Sequence, residues 1–405
     1  MARSARELQR ESPEHRDRSR QCEKTPHREC GATMLLSLSF SGHAKGIPVQ
    51  PGTIGVIGSG NSARALCAYL SSQGYPVWIY ARNPDRIAVV RRTGRIRAIG
   101  MLDGSFPVEE VTDDLERFAS ACSTVFIASV TTAYADIAAM LAPYLRAEHL
   151  LVLFSGKLCG SLEVTEVLKT HRARSTSVIE TDSLFVCRAQ DDSGIWIGGL
   201  KSWTLLSSPQ RSMTEVLAPR LLRFFPGLER AQNLIQRGLT DFGALAHAVI
   251  SIANLGTIER RQPLLFYYEG LSAKTVVLLE QMEREFQQVA NAYETSLISM
   301  AELLNRYYGC RTENLLEAMR SVAPYRNVYA PLEIDHRVLQ EDTASTLVPL
   351  QGLALKAGIA TPMIDAVVNI ISVLFGEELI SKGRHLGKLG WAQLTRREIV
   401  QWMHA

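Results

Sequence analysis

Residues 53–80 read TIGVIGSGNSARALCAYLSSQGYPVWIY, and the fold turns on them. The run 53–58 is short, apolar and β-branched, and it ends in glycine, which predicts a strand. Residues 58–63 read GSGNSA and open a helical run over 64–73, which Gly74 stops. Residues 77–80 (VWIY) predict a second strand. Strand, turn, helix and strand within about thirty residues make one βαβ unit. Inside it, Gly58-x-Gly60-x-x-Ala63 has the spacing of a dinucleotide-phosphate turn. Gly58 permits the tight turn, Gly60 lets the pyrophosphate approach the backbone, and Ala63 keeps the helix close to the sheet. The helix start at Asn61 offers N–H groups and a partial positive charge to phosphate.

The end of the second strand decides between NAD and NADP. An NAD site places Asp or Glu there for the ribose 2′-hydroxyl. This chain has Tyr80-Ala81-Arg82-Asn83, and no carboxylate before Asp85. Arg82, with Arg86 nearby, is suited to a 2′-phosphate, the alternative being a solvated surface arginine. NADPH is therefore the expected cofactor, with NADH as the second choice.

Outward from this unit the alternation continues. Residues 123–129 and 150–154 predict strands, with a helix over 133–145 interrupted at Pro143. Shorter strands are predicted at 177–179, 184–187, 195–197 and 203–206. After residue 233 helix-length amphipathic runs take over, at 245–258, 274–293, 297–307, 313–322, 347–356, 364–374 and 396–403. The expected fold is an α/β Rossmann-type doubly wound parallel sheet followed by an all-α helical domain. The expected division is a disordered leader at 1–50, a nucleotide-binding domain at 51–233, and a helical substrate domain at 234–405.

The 405 residues are 46% hydrophobic and 21% charged, enough for a large core. Forty-four basic and 41 acidic residues leave a net charge of +3, which gives no electrostatic footprint for nucleic acid. No apolar run is long enough for a transmembrane helix. The seven cysteines are scattered without a C-x-x-C pair, which argues against a zinc site and for a reducing, cytoplasmic location. The first thirty residues hold eight Lys/Arg and six Asp/Glu and almost nothing apolar. They match neither a secretory signal nor an acid-poor transit peptide, and Met34 is an alternative start.

His247 lies on an otherwise apolar helical run, with Asn254 seven residues on and Asp241 or Thr240 as its cap. A ring on an apolar face needs a polar partner. It is either a satisfied core histidine or the proton-transfer group that a C=O or C=N reductase requires. Arg337 and Glu341-Asp342 precede the run TASTLVPL. Either Asp342 or Thr343 caps the next helix, or Asp342 orients His247 while Arg337 forks onto a substrate carboxylate. Glu180-Thr181 and Cys187-Arg188 fall near strand ends, where α/β sheets bind ligands. Lys157, Cys159 and Arg384 are weaker candidates, and Cys159 and Cys187 read as core or near-core thiols.

In chain order, these pieces are joined by Ala246-His247 before Asn254, Phe266-Tyr-Tyr-Glu-Gly270, His336-Arg337-x-x-x-Glu341-Asp342, Gly358-x-x-x-Pro362 and Gly383-Arg384-x-Leu386. The ordered set resembles the octopine/nopaline (opine) dehydrogenases from residue 53 to the C-terminus. The resemblance implies NAD(P)H-dependent condensation of an α-keto acid, pyruvate or 2-oxoglutarate, with the amino group of an L-amino acid. The imine is then reduced to an N-(carboxyalkyl) amino acid. It also implies His247 as the catalytic histidine, Asp342 as its partner, Arg337 as the carboxylate ligand, and Glu180 and Thr181 as substrate-binding residues. Asp241 and Ala248 depart from the N-x-x-x-x-x-H-P form of many members, and Gly156-Lys-Leu-Cys-Gly160 departs from Gly-Arg-Thr-Gly-Gly. No resident metal, nucleic acid or membrane partner is expected, and a homodimer is the assembly left open. The competing readings are a 2-keto or hydroxy acid reductase of the same architecture and a non-catalytic NADPH-binding protein.

Overall fold

The computed structural model describes residues 52–405 apart from 172, 174 and 192. The expected leader, with Cys22, Cys30 and Met34, lies outside the described residues. In chain order the first elements are β1 (Ile54–Ile57), α1 (Asn61–Ser72), β2 (Val77–Tyr80), α2 (Ala88–Thr93), β3 (Arg95–Gly100) and β4 (Gly104–Pro107). They are followed by β5 (Glu110–Thr112), α3 (Leu115–Ala121), β6 (Thr124–Ile127), α4 (Tyr134–Leu141), β7 (Leu150–Phe154) and α5 (Gly160–Thr170). Then come β8 (Ser177–Thr181), β9 (Phe185–Ala189), β10 (Gly194–Leu200), β11 (Thr204–Ser207), α6 (Arg211–Leu222) and β12 (Leu228–Arg230).

Eight strands form one sheet in the order β12-β11-β8-β7-β6-β1-β2-β5. Every neighbour pair is parallel except β11 on β8. The strand order reverses beside β1, and such a switch point opens a crevice at the strand C-termini. Both faces are covered, as continuous apolar strands require. Val125, Ile127, Leu151 and Leu153 pack with α3–α5, whereas Phe126, Leu150, Val152 and Phe154 pack on the side of α1 and α6. Each such side chain contributes about 1.5–3 kcal/mol by leaving water.

Two expectations need correction. Residues 184–187 and 195–197 do not extend the doubly wound sheet. They belong to β9 and β10, which pair antiparallel in a separate four-stranded sheet, β4-β3-β10-β9. That sheet packs on α1. Its hairpin β3–β4 also went unpredicted, because these strands alternate exposed and buried residues and only Ile96 and Ala98 of β3 reach the core.

The second half consists of α7 (Leu234–Leu239), α8 (Phe242–Ala253), α9 (Leu255–Glu259), α10 (Ala273–Ala292), α11 (Met300–Tyr308) and α12 (Leu315–Ser321). After these come α13 (Arg337–Asp342), α14 (Val348–Ala357), α15 (Pro362–Phe375), α16 (Glu377–Ser381) and α17 (Arg396–His404). A π-helical turn, Thr343–Leu347, links α13 to α14. The single helix expected over 245–258 is broken at Asn254. Its side-chain amide donates to the carbonyls of Ile250 and Gly270, both at 2.8 Å, and ties the 266–270 loop to α8. Among the described residues no helix is long and apolar enough to cross a membrane.

Candidate active site

A cleft of about 1210 Å³ runs from the turn after β1 to α8 and α13. On its nucleotide side, Gly58 has φ +135°, and a Cβ there would stand 2.4 Å from the Ala128 carbonyl oxygen. Ala63 is buried beneath this turn. A Cβ on Gly60, by contrast, would meet nothing within 4 Å and would project into open space. The N-terminus of α1 has no side-chain cap and no acidic residue in its first turn. Uncapped N–H groups, a twelve-residue helix and a glycine that leaves the backbone bare suit a pyrophosphate. Asn61 lines the same wall, as do Arg82 and Arg86 at the end of β2. Asn83 caps the short turn Pro84–Ile87 by accepting from the Asp85 N–H, and Asp85 is not part of the wall. These residues fit a dinucleotide, and two arginines whose intervening Asp85 does not line the cleft fit a 2′-phosphate. Arg82→Ala therefore weakens NADPH more than NADH, and an unchanged ratio of the two Kd values would remove Arg82 from cofactor choice.

Facing this wall, His247 projects from α8. Its Nδ1 lies 2.7 Å from Asp342 Oδ2, and its Nε2 lies 2.9 Å from the Tyr267 hydroxyl. A carboxylate accepts only, so Nδ1 carries the proton and the Tyr267 hydroxyl donates to Nε2. His247 keeps 22% of its side chain exposed and Asp342 only 2%, so the ring reaches the cleft while its partner is sealed behind it. Asp342 caps no helix. It ends α13, where the π turn follows, and such turns recur at functional sites. Asp241 does cap α8, accepting from the Gly243 and Ala244 N–H groups.

Lys157, from the loop after β7, bridges the two aspartates. Its Nζ is 2.7 Å from Asp241 Oδ2 and 2.7 Å from Asp342 Oδ1. Burial would raise the Asp342 carboxyl, but Lys157 and then His247 outweigh it and hold it below the ordinary range. Burial works against the Lys157 ammonium, and Asp241 and Asp342 reverse this and raise it well above the usual lysine value.

Arg337 also lines the cleft, with 58% of its side chain exposed, and pairs with Glu341 at 3.1 Å. Burial raises the Glu341 carboxyl, and Arg337 opposes it. Glu180 and Thr181 require correction as substrate ligands. Both are fully buried and neither lines the cleft. Glu180 Oε1 accepts from Arg237 at 3.2 Å, and its Oε2 accepts from the Ser161 N–H at 2.6 Å. Thr181 donates to the Leu205 carbonyl. The reason is local: β8 is an interior strand, and α7, whose Arg237 turns inward, supplies the partner that Glu180 needs.

Asn254 shares a helix with His247 but does not touch it. It fixes the loop that carries Tyr267 instead. Cys187 lines the cleft, yet burial pushes its thiol up to about 12, and burial likewise raises Cys159 well above the usual value. Neither is poised as a thiolate. Arg384 is buried and donates to Glu163 and to the carbonyls of Gly156 and Leu158. Sequence reasoning missed Tyr267, although it stands in the quoted segment 266–270, and underrated Lys157.

A glycine turn for a dinucleotide and a His–Asp couple share one cleft, and together they define a two-domain pyridine-nucleotide oxidoreductase. Residues 230–375 match the family model of the NAD/NADP octopine/nopaline dehydrogenase alpha-helical domain. Residues 53–154 match the model of the coenzyme F420-dependent NADP oxidoreductases. The chain is 27% identical over 349 residues to an opine dehydrogenase of Arthrobacter sp. (strain 1C), covering 86% of this chain and 97% of that one. It is 23% identical over 357 residues to the protein ocs of Agrobacterium tumefaciens (strain Ach5), covering 86% and 98%. The fold matches octopine dehydrogenase solved with NADH and agmatine, with a TM-score of 0.69 and 18% identity over 86% of this chain and 98% of that one. Residues 230–375 thus carry the helical domain of the octopine/nopaline dehydrogenases, and the chain is an NAD(P)-dependent oxidoreductase similar over most of its length to opine dehydrogenases.

Proposed function

We propose that this chain condenses an α-keto acid, pyruvate or 2-oxoglutarate, with the amino group of an L-amino acid and reduces the imine to an opine. The observation that carries the reading is the 2.7 Å contact of His247 Nδ1 with a sealed Asp342, facing the glycine turn across one cleft. Residues 51–233 form the nucleotide-binding half in this reading, and 234–405 the substrate half. Gly58, Gly60, Asn61 and the start of α1 hold the pyrophosphate, Ala63 sets the helix close to the sheet, and Arg82 holds the 2′-phosphate of NADPH. When bound, the cofactor supplies a hydride.

The chain's own groups do the proton work. Nδ1 is engaged with Asp342, so Nε2 is the free base once the Tyr267 hydroxyl yields its place. His247 takes a proton from the substrate ammonium and returns one to the departing hydroxyl. Arg337 offers a forked pair of N–H donors to a substrate carboxylate. Closure of the cleft around the substrates would exclude water, which hydrolyses the imine. A homodimer and a cytoplasmic location are part of this proposal. Ile370, Val373 and Leu374 expose apolar surface on α15, and sedimentation tests the assembly.

The test is NADPH oxidation by the purified chain across a matrix of α-keto acids and L-amino acids, with each keto acid also run alone. Turnover only with both partners supports the proposal and names the substrates. Turnover with keto acid alone places the chain among simple keto acid reductases. NADPH binding without turnover leaves the non-catalytic reading.

A further inference from the structure

Lys157 is a cation held between the two halves of the molecule. It leaves β7 in the segment 155–160, yet both its partners, Asp241 and Asp342, lie in the helical half. Two buried carboxylates within twice 2.7 Å of one another repel unless a cation stands between them. The loop departs from easy backbone geometry to place it. Lys157 has φ +56° and Cys159 has φ +62°, a left-handed conformation that residues with a side chain rarely adopt. The loop is held there from the helical side. Arg384 Nη1 donates to the carbonyls of Gly156 and Leu158, both at 3.0 Å, and the Leu158 N–H donates to the Ser345 carbonyl at 3.1 Å. Ser345 belongs to the π turn directly after Asp342.

We propose that Lys157 is a positioning residue of the reaction, clamping Asp342 so that this carboxylate stays ionised and aimed at His247 Nδ1. The inference rests on His247 as the acid–base group of the proposed reaction. The ammonium takes Asp342 Oδ1, which leaves Oδ2 as the acceptor for His247 and fixes the carboxylate's rotation. It also shields Asp342 from the charge of Asp241. The other charged groups facing this cluster are Asp182, Lys201, Arg237 on α7, Glu341 on α13, and His247 itself.

The sign of the expected change follows from the balance at Asp342. Burial and Asp241 both push its carboxyl up, and Lys157 and His247 push it down. Without Lys157 the carboxyl protonates at higher pH, and the acid limb of kcat rises with it. Without the charge of Asp241 the limb falls or stays. Asparagine at 241 keeps the helix cap, so that variant isolates the charge.

The experiment measures kcat between about pH 5 and pH 9 for the full chain and for Lys157→Gln, Lys157→Arg and Asp241→Asn. We expect the limb to rise by roughly one pH unit or more in Lys157→Gln, to return in Lys157→Arg, and not to rise in Asp241→Asn. An unmoved limb in Lys157→Gln, or a rise in Asp241→Asn, overturns the clamp. Should Lys157→Gln fail to fold, Asp241→Asn still decides, since a rise of the limb there overturns the clamp. A second readout needs no turnover: the downfield proton resonance of His247 Nδ1–H, assigned by its loss in His247→Ala. It should persist in Lys157→Arg and vanish in Lys157→Gln, and its persistence in Lys157→Gln overturns the clamp. A wild-type chain without turnover in any substrate pair would sink the proposed function, while the resonance would still decide the clamp.

Discussion

Replacing His247 with alanine leaves NADPH binding nearly intact and lowers kcat by about two to four decades. The reason lies in the division of the cleft. In the proposed reading the glycine turn and α1 form the nucleotide wall and His247 belongs to the opposite one, so the truncation removes no contact with phosphate. It does remove the one imidazole that bridges Asp342 and the Tyr267 hydroxyl at 2.7 and 2.9 Å. Asp342 keeps Lys157 as a counter-ion in the variant, so the fold does not inherit a bare buried charge. Fluorescence titration of NADPH and single-turnover oxidation separate the two effects. Equal turnover in the variant would take His247 out of the mechanism.

Replacing Arg237 with leucine destabilises the protein by about 3–5 kcal/mol, the cost of leaving one member of a buried ion pair without its partner. Arg237 and Glu180 are both fully buried, and the guanidinium faces Glu180 Oε1 at 3.2 Å. Burial lowers the Arg237 guanidinium, but Glu180 and the acidic groups around it reverse the balance, so the guanidinium stays charged. Glu180→Gln acts in the same direction with a smaller loss, since the amide still accepts from Ser161. Urea unfolding measures both, and their effects should fall well short of additivity because the residues share one interaction. A Glu180→Gln variant of unchanged stability whose KM for the amino acid rises would instead return Glu180 to the substrate site.

The parts of this molecule that local pattern dictates were legible in the sequence. The stretch 53–80 carries its own strand, turn and helix signals: β1 and β2 fall within a residue of the reading, and α1 starts three residues before the expected helical run. Residues 150–154 are apolar throughout because both faces of β7 are buried. What escaped depends on distant partners. The small sheet needs β3 and β10 to meet across almost a hundred residues of chain, and neither strand announces which sheet it joins. Helix α6 escaped because Pro219 sits inside it and breaks the expected pattern. In the candidate site, His247, Arg337 and Asp342 stand out through their order in the chain, and all three line the cleft. Lys157 was underrated because nothing beside it in sequence explains a cation there, and its two partners lie 84 and 185 residues away. Glu180 shows the reverse case. A carboxylate at a strand end suggests a ligand, and only the packing of α7 reveals that its partner is internal.

The lysine bridge also bears on how such enzymes can be recombined. A helical half transplanted onto a foreign nucleotide-binding half carries His247, Asp342 and Asp241 with it, and leaves Lys157 behind. The graft inherits two facing carboxylates with no cation between them unless the recipient loop supplies one at the same place. Residues 155–160 therefore travel with the helical half in any working chimera, although in the chain they belong to the other one.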